Sequence, residues 1–366
     1  MQPFTVRVAD EVLDDLRDRL RRARWPDELP GLGWTQGTDA AFLRALVQHW
    51  QSAYDWRAAE REINRLHHFR AEIGGQAVHF IHQRSGGLPL LLTHGWPGSF
   101  HEFSKAIPLL AAAGFDVVVP SLPGYAFSTP LSRAGINAFA IADLWAELMT
   151  RLGYARFAAQ GGDWGASVST CLGLRHPQRL LGLHLNYIPG SYFPDLAGKA
   201  ATAEEQAALD AAGAWSVSEG AYGHQQRTRP QTLGFALEDS PVGLAAWMVE
   251  KFRAWSDCGG EVERRFSRDE LITQVMIYWV TRSATSAARL YLEGRLRPLR
   301  FAPGEKVRVP CAIARFPREE PFPPRSWIER GYQVARYTEL PRGGHFAAWE
   351  EPELLVDDLR AFLLPR

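Results

Sequence analysis

The chain has 366 residues, with 41 basic and 41 acidic side chains, 46% hydrophobic and 22% charged content. At ~150 residues per domain this is a globular protein of one large domain with additions, or of two domains, and its balanced charge gives no footprint for nucleic acid or an anionic membrane. Three widely spaced cysteines, Cys171, Cys258 and Cys311, form neither a CxxC pair nor a disulfide framework, which points to a reducing compartment.

The start, Met1-Gln2-Pro3-Phe4-Thr5, has no charged segment followed by an apolar run. No stretch reaches the roughly 18 uninterrupted apolar residues of a membrane span, so a cytoplasmic location without a membrane partner is expected. Helices are predicted over the first ~66 residues, where Asp10 is placed to N-cap a stretch with Leu13, Leu16 and Leu20 at helical spacing. Two more follow, over Asp39 to Tyr54 and Arg57 to Leu66. The texture then changes: His67 to Ile73, a Gly74-Gly75 turn, and Gln76 to His82 read as a β-hairpin.

From Leu88 the pattern is strand then helix, repeatedly. Strands are predicted at Leu88 to Thr93, Asp116 to Val119, Arg156 to Gln160 and Leu181 to Leu185, with helices near Glu102 to Ala112, Asn137 to Leu152 and Trp164 to Leu174. Such alternation predicts an α/β fold, a mostly parallel central sheet flanked by helices. Residues 188–300 break it with helical spacing rich in Trp, Ala and Arg. Alternation resumes at Val309 to Phe316, Tyr332 to Thr338 and a closing helix over Pro352 to Leu364. The expected organisation is an N-terminal helical extension and hairpin over 1–85, a first core segment over 86–187, a helical lid over 188–300, and a second core segment over 301–366.

Gln160-Gly161-Gly162-Asp163-Trp164-Gly165, between a predicted strand and a predicted helix, has the context of a nucleophile elbow. Its exposed side chain is a carboxylate. Serine attacking an sp³ carbon would make an ether that water cleaves poorly, whereas aspartate makes an ester that activated water can hydrolyse, so Asp163 points to alkyl-transfer hydrolysis. His94-Gly95-Trp96-Pro97-Gly98-Ser99 follows the strand at Leu88 to Thr93 and is placed to aim the Trp96 N–H at the developing oxyanion, with the Trp164 N–H as second donor. His345, in Arg342-Gly343-Gly344-His345-Phe346, follows the nucleophile in a late loop, as a general base in this arrangement should. Glu319 and Glu320, after the strand near Val309, both qualify by position as its acid.

These motifs resemble the α/β-hydrolase-fold epoxide hydrolases of the microsomal-like branch, which carry a helical extension before the core. The resemblance runs nearly end to end: Pro3-Phe4, Arg24-Trp25-Pro26-Asp27, the HGWPGS loop, Pro120-Ser121-Leu122-Pro123-Gly124-Tyr125, the GGDWG elbow, Thr228-Arg229-Pro230, and the closing RGGHFAAWEEPELL. It implies that the acid lies in Phe316-Pro317-Arg318-Glu319, hence Glu319. It also implies two lid tyrosines that donate hydrogen bonds to the epoxide oxygen, Tyr222 and Tyr291, the latter after a helical stretch from Tyr278 to Leu290. Without the resemblance, Tyr222, Tyr278 and Tyr291 rank equal.

The expected activity is hydrolysis of a small-molecule epoxide, apolar or aromatic, to a vicinal diol through a hydroxyalkyl ester on Asp163. No metal or organic cofactor and no nucleic acid or membrane partner is expected, and monomer and homodimer both stay open. The rival readings are a haloalkane dehalogenase, which shares the Asp elbow but needs donors for a halide, and a non-catalytic α/β-hydrolase-fold binding protein. The triad residues argue against the second.

Overall fold

Gly74 and Gly75 adopt φ values of 53° and 75°, and this left-handed pair closes a two-residue hairpin between β2 (His68–Ile73) and β3 (Gln76–Gln83), next to β1 (Gln2–Pro3). The computed structural model describes residues 1–364; the last two residues of the expected 301–366 segment lie outside the described residues. The sheet continues with β4 (Leu88–Thr93), β5 (Phe115–Pro120), β6 (Phe157–Gly161), β7 (Leu180–Leu185), β8 (Val307–Arg315) and β9 (Tyr332–Glu339). Its order is β1-β2-β3-β5-β4-β6-β7-β8-β9, antiparallel from β1 to β5 and parallel from β5 to β9. This is the α/β-hydrolase fold.

Strands covered on both faces read as unbroken apolar runs, and Leu90 to Leu92 and Val117 to Val119 are fully buried. Helices Ala106–Ala112, Ala138–Arg151, Asp163–Arg175 and Pro352–Leu363 accompany them. Because the chain leaves β4 for β5 on one side and later adds β6 on the other, the carboxyl ends of β4 and β6 flank a topological switch point, where such sheets form their ligand crevice.

The first helix, Asp10–Arg21, buries Leu13, Leu16 and Leu20 as their spacing predicts. Asp10, however, is its first residue rather than its cap: Ala9 holds the cap position without a side-chain bond, and the Asp10 carboxylate meets Arg57 instead. Acidity in the first turn still suits the helix dipole. The next two helices are capped by aspartates, Asp39 onto the Phe42 N–H and Asp55 onto the Arg57 N–H. They end earlier than the spacing suggests, at Ser52 and Ile63.

Helices Ala203–Ser218, Ala221–Thr228, Pro230–Leu237, Pro241–Trp255, Arg268–Thr281 and Ala284–Leu296 lie between β7 and β8. The continuous helical stretch expected from Tyr278 to Leu290 is broken. Arg282 turns left-handed at φ 50°, and the N–H groups of Arg282 and Ser283 close on the Trp279 and Tyr278 carbonyls, so Tyr291 sits inside a new helix rather than after an old one. The N-terminal extension touches this layer through His49 and Asp269 at 2.6 Å, Tyr54 and Thr273 at 3.0 Å, and the Thr38 hydroxyl on the Ala246 carbonyl at 2.7 Å.

Candidate active site

Asp163 occupies the turn between β6 and its helix with φ 48°, a left-handed conformation that costs a side-chain-bearing residue about 1–3 kcal/mol. The turn is tight enough to require glycine on both sides. A Cβ on Gly161 would lie 2.2 Å from the Gly165 carbonyl, and one on Gly165 would lie 1.8 Å from the Thr93 oxygen. The strained turn projects the carboxylate beyond the sheet at a helix N-terminus, where the dipole favours an anion.

The Trp96 N–H donates to Asp163 Oδ1 at 2.8 Å. Its loop is fastened from above: Gln274 Nε2 donates to the Pro97 carbonyl and the Tyr278 hydroxyl to the Gly98 carbonyl, both at 2.7 Å, and the Ser99 hydroxyl donates to Gln274 Oε1 at 2.8 Å. His94 is structural, since its Nε2 accepts the Leu122 N–H and burial lowers its pKa to about 4. Burial pushes the Asp163 pKa up, opposed by the charge of His345 and by the Trp96 and Trp164 N–H groups. The Trp164 N–H also faces the carboxylate, but the well-aligned hydrogen bond is the one from Trp96.

His345 stands on the opposite side of Asp163 with Nε2 3.6 Å from Oδ2, while its Nδ1 meets Glu319 Oε2 at 2.8 Å. Glu320, the neighbour equally placed in sequence, is turned outward onto Arg315 at 3.2 Å. The His345 loop needs Gly343 at φ 104° and closes against the 255–257 segment, where the His345 N–H reaches the Trp255 carbonyl at 3.0 Å. Burial alone would lower the imidazole pKa. Glu319 above all, with Asp163 and Glu102 adding to it, outweighs burial and raises the value to about 9.

Tyr222 and Tyr291, from the separate helices Ala221–Thr228 and Ala284–Leu296, have ring centroids 5.9 Å apart, and Tyr222 stacks on Trp96 at 5.1 Å. Burial raises both phenol pKa values, which keeps the hydroxyls protonated as donors. Tyr278 is separated from them by its bond to Gly98. The Trp164 indole braces Tyr291 edge-on at 5.0 Å, and a Cβ on Gly294 would come within 2.5 Å of that indole.

A cavity of about 20 Å³ beside the carboxylate is lined by Glu102, Gln160, Asp163, Asn186 and His345, among others. The sequence reading missed Glu102 and Asn186, and quoted Gln160 only as part of the elbow. A glutamate in a one-turn helix behind a Gly-Ser loop has no spacing signal; only the fold turns it inward. Among the described residues no group of three or more His, Cys, Asp or Glu is placed to hold a metal ion, and no helix is long and apolar enough to cross a membrane.

Comparison with known proteins places the whole chain among relatives of one family. A model described as the epoxide hydrolase N terminus matches residues 1–103, and one described as the α/β hydrolase fold matches 89–213. The chain is 44% identical to a putative epoxide hydrolase of Stigmatella aurantiaca, over 98% of this chain and 83% of that one. It is 37% identical to epoxide hydrolase 1 of Sus scrofa, over 99% and 88%. Aspergillus niger epoxide hydrolase superposes with a TM-score of 0.86 at 31% identity, covering 99% of this chain and 96% of that one. For the juvenile hormone epoxide hydrolase of the silkworm Bombyx mori the values are 0.84, 30%, 98% and 92%.

Proposed function

The chain belongs to the epoxide hydrolase family built on the α/β-hydrolase fold, and from that premise we propose that it converts a small epoxide to a vicinal diol through a hydroxyalkyl ester on Asp163. The observation that carries the proposal is the carboxylate at the elbow, with Trp96 on Oδ1 and His345 on the side of Oδ2. Because Oδ1 is engaged by an N–H, Oδ2 is the attacking oxygen. It displaces the ring oxygen from the less hindered carbon, and Tyr222 and Tyr291 donate to the alkoxide as it forms.

Ester formation changes the charge balance. Asp163 is one of the charges that raise the His345 pKa, and its conversion to a neutral ester lowers that pKa, so the imidazolium gives up one proton, matching the one the alkoxide takes up, and the neutral imidazole is left to act as a base. His345, oriented by Glu319, then takes a proton from water. The hydroxide bonds to the Asp163 carboxyl carbon, negative charge develops on Oδ1 against the Trp96 N–H, and the ester C–O bond breaks to release the diol with a proton returned from His345.

The rings of Trp96, Trp255, Tyr222 and Tyr291 pack against one another beside the nucleophile, supporting an apolar or aromatic substituent on the epoxide. Three buried free thiols support a reducing, cytoplasmic setting. Parallel incubations with styrene oxide, 1-chlorobutane and buffer alone test the activity. Diol from styrene oxide without chloride release is expected; chloride release at a matching rate, or no turnover of either, would overturn the proposal.

A further inference from the structure

Gln160 poses a problem that the mechanism above leaves unanswered. It is 1% exposed at the end of β6, its Nε2 donates to Asn186 Oδ1 at 2.7 Å, and its Oε1 has no hydrogen-bond partner in the protein. A buried acceptor left without a donor costs about 1–3 kcal/mol. Gln160 also lines the cavity that contains Asp163, His345 and Glu102, whose volume of about 20 Å³ exceeds the roughly 10–15 Å³ that one water needs.

Glu102 reaches this cavity from the 3₁₀ turn Phe100–Phe103 directly behind the Trp96 loop. The loop is shaped around it: a Cβ on Gly98 would fall 2.0 Å from Glu102 Oε2, so glycine there leaves the carboxyl its place. The charged and titratable groups around Glu102 are Asp163 and His345, together with Tyr278 from the Arg268–Thr281 helix. None of them gives its side chain a hydrogen-bond partner of good geometry, which leaves the carboxyl available to a water.

We propose that Glu102 and Gln160 hold the water that hydrolyses the Asp163 ester, between the ester carbon and His345. The inference rests on the ester mechanism proposed above. One O–H of the water points to Gln160 Oε1 or Glu102, the other to His345 Nε2, and a lone pair is left facing the carboxyl carbon. His345 takes the proton, the oxygen bonds to carbon, and Glu102 acts as a positioning residue that forms no bond to substrate. Burial raises the Glu102 pKa to about 8, with His345 opposing and the Asp163 charge adding to it. Loss of that charge on esterification favours the Glu102 carboxylate at the step that uses it.

Single-turnover rapid quench, with mass spectrometry of the Asp163 peptide, resolves ester formation from ester decay. In Glu102→Gln the ester should form within about threefold of the wild-type rate and decay about 10²-fold more slowly, the scale of a misplaced reacting group. The pH profile separates this role from a structural one. Wild-type decay requires two deprotonations, Glu102 and His345, so the acid limb of its log rate approaches a slope of two; the variant's should have a slope of one. Gln160→Met should slow decay while keeping the slope of two, and it decides the matter if Glu102→Gln does not fold. Decay in either variant within threefold of wild type, or a wild-type slope of one, would overturn the proposal. If wild-type protein turns over epoxide without any ester on Asp163, the parent mechanism fails and this water site with it.

Discussion

Nε2 of His345 lies 3.6 Å from Oδ2 of Asp163, so the oxygen proposed to attack substrate also helps to hold the imidazole pKa up. Esterification should therefore lower the His345 pKa from its raised value of about 9. Titration of His345 by NMR in the free protein should give an apparent value well above the ordinary 6.5, and the pH dependence of ester decay should give a lower one. Equal values in the two states would mean that Asp163 does not set the base.

The Tyr222 and Tyr291 phenols should act in ring opening alone. Tyr222→Phe and Tyr291→Phe should each slow ester formation by up to about 10²-fold, as for loss of one oxyanion donor, and leave ester decay nearly unchanged. The double variant should lose far more than either. Tyr278→Phe is the control with a structural consequence: it leaves the buried Gly98 carbonyl without its donor, a loss of about 1–3 kcal/mol that a thermal unfolding midpoint would register, while the ratio of the two steps stays near wild type.

Asp358 makes a prediction about stability rather than turnover. Buried at 3% exposure, it accepts from Thr338 and Arg336 at 2.7 Å and meets His184 at 3.0 Å, joining the last helix to β7 and β9. Burial raises its pKa, but His184, Thr338 and Arg336 prevail and lower it to about 2. A carboxyl depressed in the folded state contributes stability that is complete above its unfolded pKa of about 3.9 and disappears as pH falls through about 2. Asp358→Asn should cost about 3 kcal/mol at neutral pH, as expected when a buried ion pair loses one partner, and much less at pH 2. Urea unfolding at both pH values measures the difference.

The sequence was legible where a local pattern carried the physics. The β4 and β5 runs are apolar because both faces are covered, and the elbow glycines stand where the backbone of Thr93 and Gly165 would collide with any side chain. It was silent where tertiary contacts decide. The two residues of β1 are too few to show a period, and no Gly or Pro announces the left-handed break at Arg282. Glu319 and Glu320 are neighbours with equal positional claims; only the close of the chain after β8 sends one to His345 and the other to Arg315. Asp10 fits a cap pattern, yet Arg57, 47 residues later, supplies its partner.

The central claim is that Asp163 is alkylated and that water then attacks its carboxyl carbon. A single turnover in ¹⁸O-labelled water, with enzyme in excess over styrene oxide, tests it directly. The account predicts that label enters the Asp163 carboxylate of the recovered protein in that one turnover, because the water oxygen bonds to the carboxyl carbon while Oδ2 leaves in the diol, and that the peptide bearing Asp163 gains mass accordingly. Label confined to the diol, with an unlabelled Asp163 peptide, would mean direct attack of water on the epoxide and would contradict the account.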